Sequence, residues 1–222
     1  MSKLIVLLKK DFTAELRSKD IVLTMLLFVL LVIVTFSFAF EPGSIEVGVL
    51  APGMLWISFV FAGVLGLLRS FVNEQQNDCL LGLMLCPVDR GVVYLGKALG
   101  NIIFMLAVEA VTLPVFALLL NFDIWRFLPA IAVIFSLCTV GYAAVGTLFS
   151  AMAITMRSRE LMLPLLQFPI SVPLIIAAVK ATGGILAGQT LAEVSGWLKL
   201  VGAFDVIFLT VSFLIFEYAI AE

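Results

Sequence analysis

The sequence predicts an all-α membrane protein with six transmembrane helices, and three observations point to that class. Hydrophobic residues make up 63% of the 222 positions, charged residues only 13%, and the mean hydropathy is +1.23, far above the soluble range. A bilayer core of about 30 Å needs about 20 apolar residues per helical crossing, and stretches of that kind recur at 21–40, 49–68, 98–120, 127–153, 162–180 and 199–220. Each is continuously apolar, whereas a lipid-facing barrel strand is about 10 residues long and alternates polar with apolar. Residues 1–222 therefore read as one membrane domain with no room for a soluble catalytic unit.

Ahead of the first span, Leu4, Ile5, Leu7, Leu8, Phe12 and Leu16 interleave with Lys3, Lys9, Lys10, Arg17 and Lys19 at helical spacing. That pattern predicts an N-terminal amphipathic interfacial helix over 1–20. Asp11, Glu15 and Asp20 dilute its basic face, so a solvated leader is the alternative. The apolar run from Ile21 has no small-residue cleavage signature after it and is read as a retained first helix.

Counting Lys and Arg in alternate connections gives ten on one side: five in residues 1–20, then Arg69, Arg90 and Lys97, then Arg157 and Arg159. Only Arg126, Lys180 and Lys199 fall on the other side. The positive-inside rule then puts both termini in the cytoplasm. The opposite connections, 41–48, 121–126 and 181–197, are too short to fold as domains, and Trp56, Trp125 and Trp197 fall near that outer boundary, where amphipathic rings sit at headgroup level.

Several function classes are weakened at once. The chain has no histidine, the commonest metal ligand, general base and haem axial ligand. Cys79, Cys86 and Cys138 are too scattered for a disulfide framework or a zinc site and read as small apolar residues. A net charge of -2 without a concentrated basic face gives no footprint for a nucleic acid. No internal repeat supports an inverted-repeat transporter. No G-x-x-x-x-G-K-[ST] occurs, so ATP-driven work needs a partner that brings the phosphate-binding loop.

The longest internal polar stretch lies in 69–97, read as a cytoplasmic segment. Glu74 and Asp78 belong to its polar half; Leu80, Leu83, Met84 and Leu85 are too few to span, and Pro87 ends any helix they form. A short helix at the membrane surface is the natural reading, with an exposed side to dock a soluble partner. Within the bilayer, Glu109 is the best single candidate. A charge at mid-span costs at least about 2.5–3.5 kcal/mol on insertion scales and so faces protein or water, either as a functional group or as a packing hydrogen bond. Asp205 and Glu217 in the sixth span rank lower, because modest tilt brings both to water.

Pro114, Pro164, Pro169 and Pro173 each remove a backbone donor inside an apolar span. In the fifth span, with Gly183-Gly184 following, they admit a re-entrant outer segment within 181–197, although a simply kinked helix is the preferred reading. Gly63, Gly66, Gly141 and Gly146 are candidate points of close helix contact.

Ala51-Pro52-Gly53-Met54-Leu55-Trp56, followed by Arg69, Phe71, Leu80, Leu83-Met84-Leu85 and Pro87 at these spacings, resembles the CcmB family, the haem exporter protein B of cytochrome c maturation. The similarity extends along the chain, including the Pro-rich fifth span. Leu68, Asn77-Asp78 and Leu81-Gly82 depart from the family's usual acidic and Asp-Gly positions. The resemblance implies an ABC-2 type permease subunit in the bacterial inner membrane, which exports haem or drives release of a haem-loaded chaperone. It also implies a homodimer working with a separate ABC ATPase (CcmA-like) and with haem-handling membrane proteins (CcmC-like and CcmD-like). On that reading the chain binds no cofactor alone, ATP acts through the partner, and any haem is handled by partners. Glu74, Asp78, Leu80, Leu83, Met84, Leu85 and Pro87 would form the ATPase-coupling segment. The alternatives are an ABC-2 permease for a lipid or drug, a non-transporting scaffold of the haem-handling complex, and an intramembrane enzyme. The last lacks a second catalytic group beside Glu109.

Overall fold

The computed structural model describes residues 3–40, 45–76, 89–121, 124–154 and 159–219. Those residues form α1 (Lys3–Ser18), α2 (Asp20–Ala39), α3 (Ile45–Gln76), α4 (Arg90–Leu119), a short 3-10 turn (Trp125–Phe127), α5 (Leu128–Ile154), α6 (Arg159–Leu186) and α7 (Ser195–Ala219). The six helices α2 to α7 are each long and apolar enough to cross a membrane.

At 1.5 Å per residue, the 20 residues of α2 are about 30 Å long, the thickness of the hydrocarbon core. One stripe at four-residue spacing, Ile21, Met25, Val29 and Ile33, is buried against α3 and α4. Leu23, Leu27, Leu31 and Phe38 on the other side are exposed, as lipid-facing residues are.

α5 is the hub, in contact with α3, α4, α6 and α7. Its residues 141–148, Gly-Tyr-Ala-Ala-Val-Gly-Thr-Leu, are all buried, so neighbours surround it on every side. Small side chains allow this, since helix association in lipid depends on close van der Waals approach rather than on hydrophobic exclusion. A Cβ on Gly63 would meet the Tyr142 ring at 2.7 Å, and one on Gly146 would meet Leu67 and the Gln167 amide. Gly66 lies against Met25 and Gly141 against Asp205.

Between α1 and α2 the chain turns at Lys19, which has a left-handed backbone (φ 58°) and no capping side chain. Its N–H donates to the Glu15 carbonyl, and the Glu15 carboxylate accepts from the Val22 N–H at 2.9 Å. One buried acid thus caps the start of α2 from the preceding helix. At α4 the cap is local, with Asp89 accepting from Gly91 N–H at 2.8 Å.

α6 continues through Pro164, Pro169 and Pro173 to Leu186 as one helix. It ends in a Schellman turn, with Gly188 at φ 90° and the N–H groups of Gly188 and Gln189 donating to Ile185 and Gly184. Glu193 then reaches back to the Thr190 N–H at 2.6 Å, a capping-box contact ahead of α7. Residues 181–186 are therefore the last turns of a span and 187–194 a tight hydrogen-bonded connection, so the re-entrant reading fails.

One further expectation is revised. The segment read as 69–97 is helical at both ends, because α3 runs on to Gln76 and α4 begins at Arg90, with Tyr94 and Lys97 buried in the bundle. Trp56 is buried between helices, stacked on Phe135 and donating its indole N–H to Thr182 at 3.0 Å. α1 packs on the bundle: Asp11 pairs with Lys97 at 2.8 Å and Phe12 stacks on Phe104 of α4.

Candidate functional site

The polar residues of the membrane interior gather around α5. Thr139 donates its hydroxyl to Oε1 of Glu109 on α4 at 2.6 Å. Tyr142 donates to the Val60 carbonyl of α3 at 2.6 Å, and its own carbonyl accepts from the Gln167 amide of α6 at 3.3 Å. Gly141 leaves the space that Asp205 of α7 fills. Five helices are thus tied at one level through residues 139 to 142. Such bonds are short-range and directional, and in lipid each contributes about 0.6 kcal/mol on average.

Glu109 is 5% exposed and its second oxygen, Oε2, has no hydrogen-bond partner among the described residues. It lines a cavity of about 20 Å³, measured as space open to the centre of a water molecule, together with Trp56, Phe59 and Val60 of α3 and Cys138, Thr139 and Tyr142 of α5. Met25 of α2, Met105 and three residues of α6, Leu174, Ile175 and Ala178, complete the lining. That volume accommodates about one water.

Asp205 is the residue that sequence reasoning ranked too low. It is 6% exposed and its Oδ1 has no hydrogen-bond partner among the described residues. Counted from Ser195 it lies about 15 Å into α7 at 1.5 Å per residue, too deep for tilt to bring it to water. The available signal was that depth combined with the short Asp side chain, which cannot snorkel as Lys or Arg can. Residues 139 and 141 are about 200° apart around a helix of 3.6 residues per turn, so Glu109 and Asp205 approach α5 from opposite sides. They are therefore not a dyad sharing a proton.

Glu74 lies in the last turns of α3, and Asp78, Leu80, Leu83, Met84, Leu85 and Pro87 lie outside the described residues. The structure does fix where their segment is anchored. The apolar part of α3 ends at Phe71 while the helix continues to Gln76, about 7.5 Å further, and α4 leaves the same end of the bundle. Arg90 there donates to the Glu217 carbonyl of α7 at 2.9 Å, so the C-terminal end of α7 is also at this end. Glu217, like Glu109, belongs to an apolar span, but it sits at the rim. Among the described residues no group of three His, Cys, Asp or Glu side chains could hold a metal ion.

Comparison with known proteins gives a consistent family. A model described as CcmB protein matches residues 2–222. Heme exporter protein B of Bradyrhizobium diazoefficiens is 28% identical, with 85% of this chain and 84% of that protein aligned. The protein of the same name from Rhodobacter capsulatus is 27% identical over 85% of this chain and 92% of its own length, and that of Pseudomonas aeruginosa 26% identical over 73% of each. The six apolar helices and this chain-long match lead to one conclusion: the chain belongs to the CcmB protein family and is a multi-pass inner-membrane protein.

Proposed function

We propose that the chain is the permease half of an ABC-2 type transporter in cytochrome c maturation, exporting haem or driving release of a haem-loaded chaperone. The observation that carries this reading is the family match over the whole chain, with relatives named Heme exporter protein B. In this reading two copies assemble with two ATPase subunits. The coupling segment, with Glu74, Asp78, Leu80, Leu83, Met84, Leu85 and Pro87, receives the ATPase, and the closure passes to α5 through the helices packed around it. The excess of Lys and Arg in the connections at the α1 end supports a cytoplasmic position for that end, where ATP is available. The buried carboxylates, Glu109 and Asp205, mark the two faces of α5 along which α4 and α7 shift. An intramembrane enzyme is the less favoured reading, since among the described residues the hydrogen bond from Thr139 is a packing contact between α5 and α4.

The test is genetic and biochemical together. The gene is deleted in its own bacterium and restored either intact or with residues 74–85 scrambled, and membrane and periplasmic proteins are stained for covalent haem. Loss of c-type cytochromes, recovered only by the intact chain, is expected. ATPase activity of the purified complex distinguishes a permease from a scaffold: the scrambled permease assembles but loses coupled hydrolysis, while a scaffold variant fails to assemble. Unchanged cytochromes in the deletion strain would overturn the haem assignment and leave a permease for another cargo.

A further inference from the structure

The contacts of α1 divide it into three faces. Towards the bundle, Leu7 abuts Gly96, Asp11 pairs with Lys97, and Glu15 accepts from the first turn of α2. A second face, Ile5, Phe12 and Leu16, is apolar yet 49%, 47% and 62% exposed. The third carries Lys9, Thr13 and Arg17, with Lys10 beside them and also 3.3 Å from Asp11. Two of the acids that dilute the basic pattern in the sequence, Asp11 and Glu15, thus turn towards the bundle, while Lys9, Thr13 and Arg17 line the outward side.

Between α1 and α4 runs an open groove of about 440 Å³, lined by Ile5, Leu8 and Phe12 on one wall and Gly100, Ile103 and Phe104 on the other. Lys9, Thr13 and Asp11 also border it, the Asp11 carboxylate being held by Lys97 at 2.8 Å and Lys10 at 3.3 Å. Gly100 leaves the floor open, since a Cβ there would come no nearer than 3.8 Å to its nearest neighbour, Asp11 Oδ2. An apolar trough beside a basic strip, on a helix with an exposed apolar face, matches one chemistry: a hydrocarbon chain joined to an anion at the membrane surface.

We infer that the α1–α4 groove binds an anionic phospholipid, with an acyl chain along Ile5, Phe12 and Ile103 and the headgroup phosphate at Lys9, held in the field of Lys10 and Arg17. The long basic side chains reach the headgroup level while their stems stay on apolar surface. α1 then acts as a clamp whose seating on α4 and on the start of α2 depends on the charge of the surrounding lipid.

The full chain in neutral detergent is titrated with phosphatidylglycerol, with phosphatidylcholine of the same acyl chains, or with sodium phosphate, and its thermal midpoint is followed by far-UV circular dichroism. Phosphatidylglycerol should raise the midpoint well above the phosphatidylcholine effect, with the difference shrinking as salt is added, and phosphate alone should do nothing. Each cation near an anionic lipid surface contributes roughly fivefold in affinity. Lys9→Gln with Arg17→Gln should therefore raise the phosphatidylglycerol concentration at half-effect roughly thirtyfold. Lys180→Gln with Lys199→Gln, an equal charge change on exposed residues at the other end of the bundle, should leave it unchanged. Ile103→Trp, which fills the groove without touching charge, should weaken the response to both lipids. Equal responses to the two lipids in the unaltered chain, a shift with phosphate alone, or an undiminished phosphatidylglycerol response in the Lys9/Arg17 variant would each overturn the inference.

Discussion

Gly141→Ala tests the seat of α7 on α5 through the sign of its effect. In a helix interior alanine is better than glycine by about 1 kcal/mol, so without a neighbour the change stabilises. At 141, however, the added Cβ overlaps the Asp205 carboxylate and comes within 3.0 Å of Phe204 Cδ1 and 3.3 Å of Asp205 Cγ. Both side chains are buried, so relief requires α5 and α7 to separate. Overpacking of this kind costs up to about 3 kcal/mol, and subtracting the propensity gain leaves a net loss of up to about 2 kcal/mol. Gly202→Ala on α7 is the control, because a Cβ there meets nothing within 4 Å; it should stabilise by up to about 1 kcal/mol. In an Asp205→Ala background most of the clash is removed, and the Gly141→Ala penalty should fall, giving a coupling of about 1 kcal/mol. The assay is reversible unfolding in mixed micelles, followed by circular dichroism, on the four-member cycle plus the control. If Gly141→Ala stabilised as much as Gly202→Ala, α5 and α7 would not touch at that level and the hub arrangement would be wrong.

Thr139→Val leaves Glu109 Oε1 without its donor and should cost about 0.6–1.7 kcal/mol in the same assay, a cost that disappears when Glu109 is already leucine. Asp11→Asn removes the carboxylate 2.8 Å from the Lys97 ammonium, whose side chain is 7% exposed, and should destabilise more than Asp11→Leu with Lys97→Met, which removes both charges together. Burial pushes the Glu15 carboxyl above its ordinary value of 4.5, against the lowering effect of the Val22 and Ile21 amides. Its contribution is therefore fully present below that value and is lost as pH rises through the higher folded value. Protection of the Val22 amide from hydrogen exchange should fall over that window in the unaltered chain and stay level in Glu15→Gln.

Hydropathy alone determined the six crossings, because crossing a 30 Å core is a one-dimensional requirement on length and apolarity. Local chemistry was also legible in principle: Gly188 closes the Schellman turn of α6, and Thr190 with Glu193 three residues later makes the capping contact before α7. The glycines at 63, 66, 141 and 146 were correctly marked as close contacts, though not which neighbour each would meet. Composition could not say which way a side chain points. In a soluble helix the apolar stripe identifies the buried face, but in lipid the outward face is apolar too, so periodicity no longer separates core from surface. For that reason the burial of Trp56 between helices was not legible, and Asp205 was read near water while it is sealed against Gly141. In the same way, Asp11 and Glu15 of α1 were counted against a basic face from which they turn away. Those three outcomes were decided by helix-to-helix packing, since only the neighbouring helices distinguish one apolar face from another.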